Sequence, residues 1–277
     1  FSGQKMDELA RRMIYASENP GKFWTSYPGL PFSTKGLDSI QARKKIYQKF
    51  VKDFMKCGAA IDENIGRLLN YLEESGEAEN TVVIYTADQG YFLGEHGFFD
   101  KRMFYEESLR MPFVIRYPKE IKGGSRIDDI ILNIDFPSLF ADYAGLENPD
   151  FMQGKSFRQN LMGNTPENWR KSMYYRYWAH APNRPGHFGI RNERYKLIFF
   201  NGQHLNMPGA KKETSEPGWE FFDLQTDPNE NQNSYDNPEY AAIIKEMKEE
   251  LIKLRSEVGD TDEKFPEMRE VIENYWN

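Results

Sequence analysis

An α/β domain followed by a smaller antiparallel-sheet subdomain carrying one helix is what this sequence predicts, and three stretches predict it. Thr81-Val82-Val83-Ile84-Tyr85 is β-branched and too short for a helix, so it reads as a buried strand, and Asp88-Gln89-Gly90 follows it. Apolar residues from Ile46 to Leu72 recur at steps of three or four, the stripe of one long amphipathic helix. Residues 172–227 read as several short strands, and a single helical pattern comes after them.

Composition narrows the class of function. The chain has 277 residues, 39% of them hydrophobic, which is enough for one large domain or two. No run approaches the roughly 18 apolar residues of a membrane-spanning helix. The net charge of -7, with acids and bases interspersed, lacks the basic footprint of a nucleic-acid binder. Cys57 is the one cysteine, so no internal disulfide can form. Phe1-Ser2-Gly3-Gln4 reads as a cut from something longer, and no signal peptide is visible.

Taken in order, Leu9 to Ile14 is a short helical pattern inside a first segment, residues 1–40, that is otherwise rich in proline, glycine and aromatics, such as Pro20, Trp24 and Pro28. The long helix runs from about Ser39 to Glu74 and stops at Ser75-Gly76. Its stripe comprises Ile46, Phe50, Phe54, Cys57, Ile61, Ile65, Leu68 and Leu72, which makes Cys57 a small core residue. Phe113-Val114-Ile115 is a second strand, and Arg126 to Phe136 a third on its alternation. Pro137 opens a short helix that Gly145 closes. Residues 163–169 resemble a linker, which divides the chain into domains 1–165 and 166–277.

In the second domain, Met173–Trp178 is a strand, and His187–Arg191 with Tyr195–Phe200 forms a hairpin about Asn192-Glu193-Arg194. Trp219–Leu224 is a further strand, and Asp227-Pro228-Asn229 a turn. A helix follows from about Pro238 to Val258, with Ile244, Met247, Leu251 and Leu254 inward and a solvated Lys/Glu face. Phe265, Tyr275 and Trp276 give the tail the means to pack back on a surface.

The chemistry concentrates between Asp88 and Pro118. Asp88 and Gln89 offer side-chain oxygens at adjacent positions, as a hard cation such as calcium requires. Lys101 adds fixed positive charge thirteen residues after Asp88, and a metal with a lysine suits a tetrahedral anion. From spacing alone, a turn-capping Asp88 beside a solvated Lys101 is an equally open reading.

The string Asp88-Gln89-Gly90, Leu93-Gly94-Glu95-His96-Gly97, Lys101 and Tyr105-Glu106-Glu107-Ser108 resembles the second half of a type I, formylglycine-dependent sulfatase site. The likeness is to the bacterial N-acetylglucosamine-6-sulfatase-like, mucin-desulfating branch, a form that Asn133-Ile134-Asp135 also shares. The resemblance implies the alkaline-phosphatase-like sulfatase fold, with the C-terminal part of its large α/β domain ahead of the small subdomain. It implies calcium on Asp88 and Gln89, sulfate contact by Lys101, and a sugar pocket lined near His187 and Arg191. His96 lies in the motif loop and either bonds to backbone or orients a neighbour.

The departures matter as much. Formylglycine is made within Cys/Ser-x-Pro-Ser-Arg, but Cys57 precedes Gly58-Ala59-Ala60, and Pro-Ser-Arg is nowhere in the sequence. The nucleophile and further calcium ligands are therefore expected in an N-terminal half supplied elsewhere, leaving this polypeptide inactive alone. The resemblance implies hydrolysis of a sulfated glycan, most simply a 6-sulfated N-acetylglucosamine, by a periplasmic or secreted enzyme. The competing readings are a phosphatase or phosphonate ester hydrolase of the alkaline phosphatase superfamily, and a noncatalytic glycan-binding remnant.

Overall fold

The computed structural model describes residues 6–18 and 32–277. In chain order the elements are α1 (Met6–Glu18), α2 (Ser39–Glu74), β1 (Val83–Thr86), β2 (Phe92–Leu93), β3 (Phe99–Asp100), α3 (Glu106–Leu109), β4 (Phe113–Arg116), α4 (Phe136–Tyr143) and α5 (Arg158–Leu161). They continue as β5 (Ser172–Tyr177), β6 (His187–Asn192), β7 (Tyr195–Phe200), β8 (Gly218–Asp223), α6 (Ala241–Glu257) and α7 (Pro266–Tyr275). The proline- and aromatic-rich stretch expected as loop at 19–31 lies outside the described residues.

Packing divides the chain into two units that interleave in sequence. The first takes the described residues up to Thr81 together with Gln89–Met103 and Glu107–Arg110. The second takes Val82–Asp88, Phe104–Glu106 and Met111–Asn277.

In the first unit, α2 begins where its caps dictate. Asp38 accepts the Gln41 backbone N–H at 2.8 Å while the Gln41 side chain accepts from Asp38 N at 3.3 Å, a reciprocal capping box. It ends at Ser75, followed by Gly76 at φ 77°. Ile46 and Phe50 pack with Leu9, Met13, Phe32 and Phe99. Beyond them the expected core stripe is open: Phe54, Ile61 and Leu68 are exposed. Cys57 is exposed too, which corrects its expected core placement. A helix of 36 residues is about 54 Å long; among the described residues Ile46 and Phe50 are its buried positions, and Phe54, though exposed, stacks on Tyr91 at 5.8 Å.

In the second unit β1 pairs antiparallel with β4, Val83 opposite Arg116 and Thr86 opposite Phe113. This ribbon is half-buried, with Tyr85 and Val114 exposed, where the run of β-formers predicted full burial. Phe113 and Ile115 join a core around Leu139, Phe157 and Trp169. The strand expected at 126–136 is absent. The Ile130 carbonyl accepts from the Trp169 indole at 3.0 Å in place of a ladder partner, and Asn133–Asp135 forms a 3-10 turn into α4. Pro137 near the start of α4 and Gly145 at φ 68° bound that helix as the sequence indicated.

Strands β5 to β8 form one antiparallel sheet in sequence order. Alternation sends Phe188, Ile190, Leu197, Phe199 and Phe221 to one face, against Ile244, Met247 and Leu251 of α6 and Met268 of α7. The tail returns as expected: the Trp219 indole donates to Tyr275 O at 2.9 Å, and the Trp276 and Trp219 rings meet edge to face at 4.8 Å. Strands, hairpin and turn fall within a residue or two of the positions the pattern predicted; α6 starts three residues after the expected Pro238, and α7 is a second helix where one was expected, built from the segment read as a tail.

Candidate active site

The motif loop enters from β1, crosses to α3, and is built around one close approach. Gly90 N–H donates to Ser108 O at 2.9 Å, and a Cβ on Gly90 would stand 2.1 Å from Glu107 O. Only glycine lets the chain after Gln89 lie against the backbone of α3.

Further along, Lys101 sits between two residues with left-handed backbones, Asp100 at φ 75° and Arg102 at φ 97°. Such conformations cost of order 1–3 kcal/mol each in non-glycine residues and persist only where surroundings enforce them. Here the Arg102 N–H donates to the buried Ser108 hydroxyl at 2.9 Å, and the Asp100 and Arg102 side chains form an ion pair. His96, also left-handed at φ 55°, brings its Nε2 to 3.5 Å from Glu107.

No described residue makes a side-chain hydrogen bond or ion pair with Asp88, Gln89 or Lys101. Asp88 is exposed, while Gln89 and Lys101 are half-buried. The loop therefore pairs its supporting charges and leaves the three predicted site groups available. A carboxylate and an amide oxygen at adjacent positions suit a hard cation, but they are only part of the six to eight oxygens that calcium takes. Among the described residues no cluster of three or more His, Cys, Asp or Glu side chains completes a metal site.

The motif continues into the second unit, where Phe104–Glu106 docks on the other face of the four-stranded sheet. Phe104 stacks on Tyr175 at 5.1 Å and presses on Gly189, where a Cβ would lie 2.4 Å from its ring. Tyr105 donates to Glu220 at 2.8 Å. Glu106 receives Arg191 through two nitrogens, at 3.1 and 3.0 Å, and Lys196 Nζ at 2.9 Å. Lys196 is fully buried and also lies 2.6 Å from Glu230, a close charge contact off the line of a good hydrogen bond. The Glu230 carboxylate in turn accepts the Glu106 backbone N–H at 2.7 Å. Burial pushes the Glu106 carboxyl up, but Lys196 and Arg191 together outweigh it and hold it at about 2. For Glu230 burial wins over Lys196, and its carboxyl is raised.

This placement bears on the two expected sugar contacts. His187 has no exposed surface: Nδ1 is 2.8 Å from Pro185 O, and Tyr177 and Phe200 flank the ring at 5.5 and 5.2 Å. Arg191 spends its fork on Glu106. Arg191 thus supports the motif through Glu106, and His187 is enclosed within the sheet. His180 is also buried, its Nδ1 accepting from Gly186 N and its Nε2 donating to Glu213 O at 2.7 Å. Asp135, fully buried, accepts from Leu132 N, Lys155 N and the Arg170 guanidinium, so Asn133-Ile134-Asp135 is a structural knot.

Lys196 and Glu230 were not singled out from sequence, and Ser108 entered only as the last residue of the motif string. A lysine inside Tyr195-Lys196-Leu197-Ile198-Phe199-Phe200, on the inward face with Ile198, was a readable signal of a buried ion pair. Nothing marked Glu230.

Family models described as Sulfatase and as N-sulphoglucosamine sulphohydrolase, C-terminal match residues 17–146 and 94–257. An N-acetylglucosamine-6-O-sulfatase of Bacteroides thetaiotaomicron is 44% identical over 82% of this chain and 38% of its own length. An arylsulfatase of Clostridium perfringens is 28% identical over 78% of this chain and 41% of its own. The structure of BT4656 in complex with its substrate D-glucosamine-2-N,6-O-disulfate superposes with TM-score 0.76 at 41% identity, over 83% of this chain and 45% of that one. A phosphonate monoester hydrolase of Agrobacterium radiobacter shares the fold, at TM-score 0.65 and 23% identity over 93% of this chain and 50% of that one. The chain thus spans about two fifths of the length of these curated relatives.

Proposed function

Because this chain belongs to the sulfatase family and matches its C-terminal portion, we propose that it forms part of an enzyme that hydrolyses a sulfate ester on a sugar, specifically 6-sulfated N-acetylglucosamine. The observation that carries this reading is the availability of Asp88, Gln89 and Lys101 in a loop whose other charged groups are engaged. The similarity to relatives named for glucosamine sulfates supports the substrate class.

Asp88 and Gln89 hold calcium through their oxygens, and the remaining ligands come from other parts of the enzyme. Calcium, when bound, supplies positive charge that polarises the sulfate oxygens. Lys101 donates to the sulfate or the leaving oxygen and stabilises the negative charge that grows there. Because it is half-buried and unengaged, its ammonium has no ion pair to break before it meets the substrate. Arg191 holds Glu106 of the motif, and His187 is enclosed in the strand that carries Arg191, so both act on the sugar through the geometry of the site.

The rest of the catalytic domain, including the formylglycine segment, is supplied by chain outside these 277 residues. The exposure of Ile61 and Leu68 on α2 and the two-stranded β1–β4 ribbon support that reading. The boundary near 165 marks the start of the small subdomain in the whole protein, and the enzyme acts in the periplasm or outside the cell.

Sulfate release tests this. The complete enzyme with calcium should desulfate N-acetylglucosamine 6-sulfate and leave phosphate and phosphonate monoesters largely untouched, and chelation should stop it. Preference for a phosphonate ester would move the assignment to the hydrolase branch. No turnover of any ester would indicate a glycan-binding remnant.

A further inference from the structure

We infer that Ser108 is the positioning residue that presents Lys101 to the reacting group, by fixing both ends of the site from one point on α3. Its carbonyl accepts Gly90 N–H at 2.9 Å, directly after Gln89. Its hydroxyl accepts Arg102 N–H at 2.9 Å, directly after Lys101. The metal-binding segment and the lysine segment, a dozen residues apart in sequence, therefore hang on opposite poles of one buried residue, 4% exposed.

The hydroxyl has the harder task. Asp100 and Arg102 both hold left-handed backbones, at φ 75° and φ 97°, and an L-residue leaves that region unless something retains it. The Asp100–Arg102 ion pair joins two residues of the arch itself, so it closes the arch without tying it to α3. The Ser108 hydroxyl ties the arch to α3, and with it the direction of Lys101. The carbonyl bond to Gly90 is backbone and survives any substitution at 108. The two poles can therefore be separated by experiment.

The inference rests on the proposed role of Lys101, and the test keeps the two apart. In the complete enzyme, Ser108→Ala should lower kcat for N-acetylglucosamine 6-sulfate by roughly tenfold or more, the scale of a misplaced catalytic group, while calcium affinity stays within about twofold. Hydrogen exchange at the Arg102 amide should accelerate, and at Gly90 stay unchanged. Ser108→Thr, which keeps the hydroxyl, should restore kcat. Arg102→Gly in the Ser108→Ala background should recover part of the loss, since glycine adopts φ 97° without strain. Should Ser108→Ala not fold, Ser108→Cys keeps the volume with a weak acceptor and serves the same comparison.

Wild-type kcat in Ser108→Ala, an unchanged Arg102 exchange rate, or parallel losses of kcat and calcium affinity would overturn the inference. If Lys101→Ala itself retains full turnover, the functional reading fails, and amide exchange alone decides whether Ser108 holds the arch.

Discussion

The single-residue contrast that matters is between charges that are spoken for and charges that are not. Glu106, Glu107, Asp100 and Arg102 each have a partner within the chain, whereas Asp88, Gln89 and Lys101 engage none of the described residues. His180 shows the other extreme, a histidine enclosed for structure. Burial lowers its pKa against the opposing pull of the Glu213 carbonyl, and protonation of Nδ1 would break its bond from Gly186 N. With its folded value below 6.5, the unfolded chain takes up a proton that the folded one refuses. Stability should therefore fall as pH drops below about 6.5, and level off below the folded pKa. Urea midpoints at pH 7.5 and 5.5 should diverge less in His180→Gln than in wild type; equal divergence would reject this account. Asp88, Gln89 and Lys101 were legible in the sequence because their string is specific. The roles of Ser108, which ends that string, and of Glu230 were not, because what defines them is a bond to a residue 6 or 124 positions away.

Among elements, α2, α4, α6 and the four-stranded sheet were readable because each carries its period or its stops locally, as Gly76 and Gly145 show, whereas α7 was read only as a tail. The segment 126–136 has the alternation of a strand, but pairing needs a neighbour, and Ile130 O bonds a tryptophan instead. Cys57 was misplaced for a related reason: periodicity identifies an apolar face and says nothing of what covers it. The charged layer around Glu106 is the element-scale feature that the sequence concealed. Lys196 stands between Glu106 and Glu230 with no exposed surface, so its removal leaves the buried Glu230 carboxylate without its cation, while Glu106 keeps Arg191. Lys196→Met should cost about 3–5 kcal/mol, the usual penalty for breaking a buried pair from one side, read as a shift in the urea midpoint. A cost below about 1 kcal/mol would mean that the cluster contributes little to docking Phe104–Glu106 on the sheet. Phe104 and Gly189 make the same joint by shape, since a side chain at 189 would strike the ring.

For the whole molecule, the described residues leave large apolar side chains exposed along α2. Phe54, Ile61 and Leu68 line one face of α2 in solvent, with Cys57 on the same stripe. On the proposed reading the remainder of the catalytic domain covers that face. A maleimide reagent should label Cys57 readily in the 277-residue chain and much more slowly in the complete enzyme. Equal rates would show that α2 is open in both. The same reading holds that these 277 residues alone do not turn over a sulfate ester, because they carry no Cys/Ser-x-Pro-Ser-Arg.

A metal and an ammonium offered by one strand-to-loop junction to one oxyanion is the claim on which the rest depends. The most direct measurement is a crystal structure of the complete enzyme with calcium and N-acetylglucosamine 6-sulfate. It should place oxygens of Asp88 and Gln89 at about 2.3–2.6 Å from the ion and Lys101 Nζ within hydrogen-bond distance of a sulfate oxygen. Calcium bound without Asp88, or Lys101 directed away from the sulfate, would contradict it.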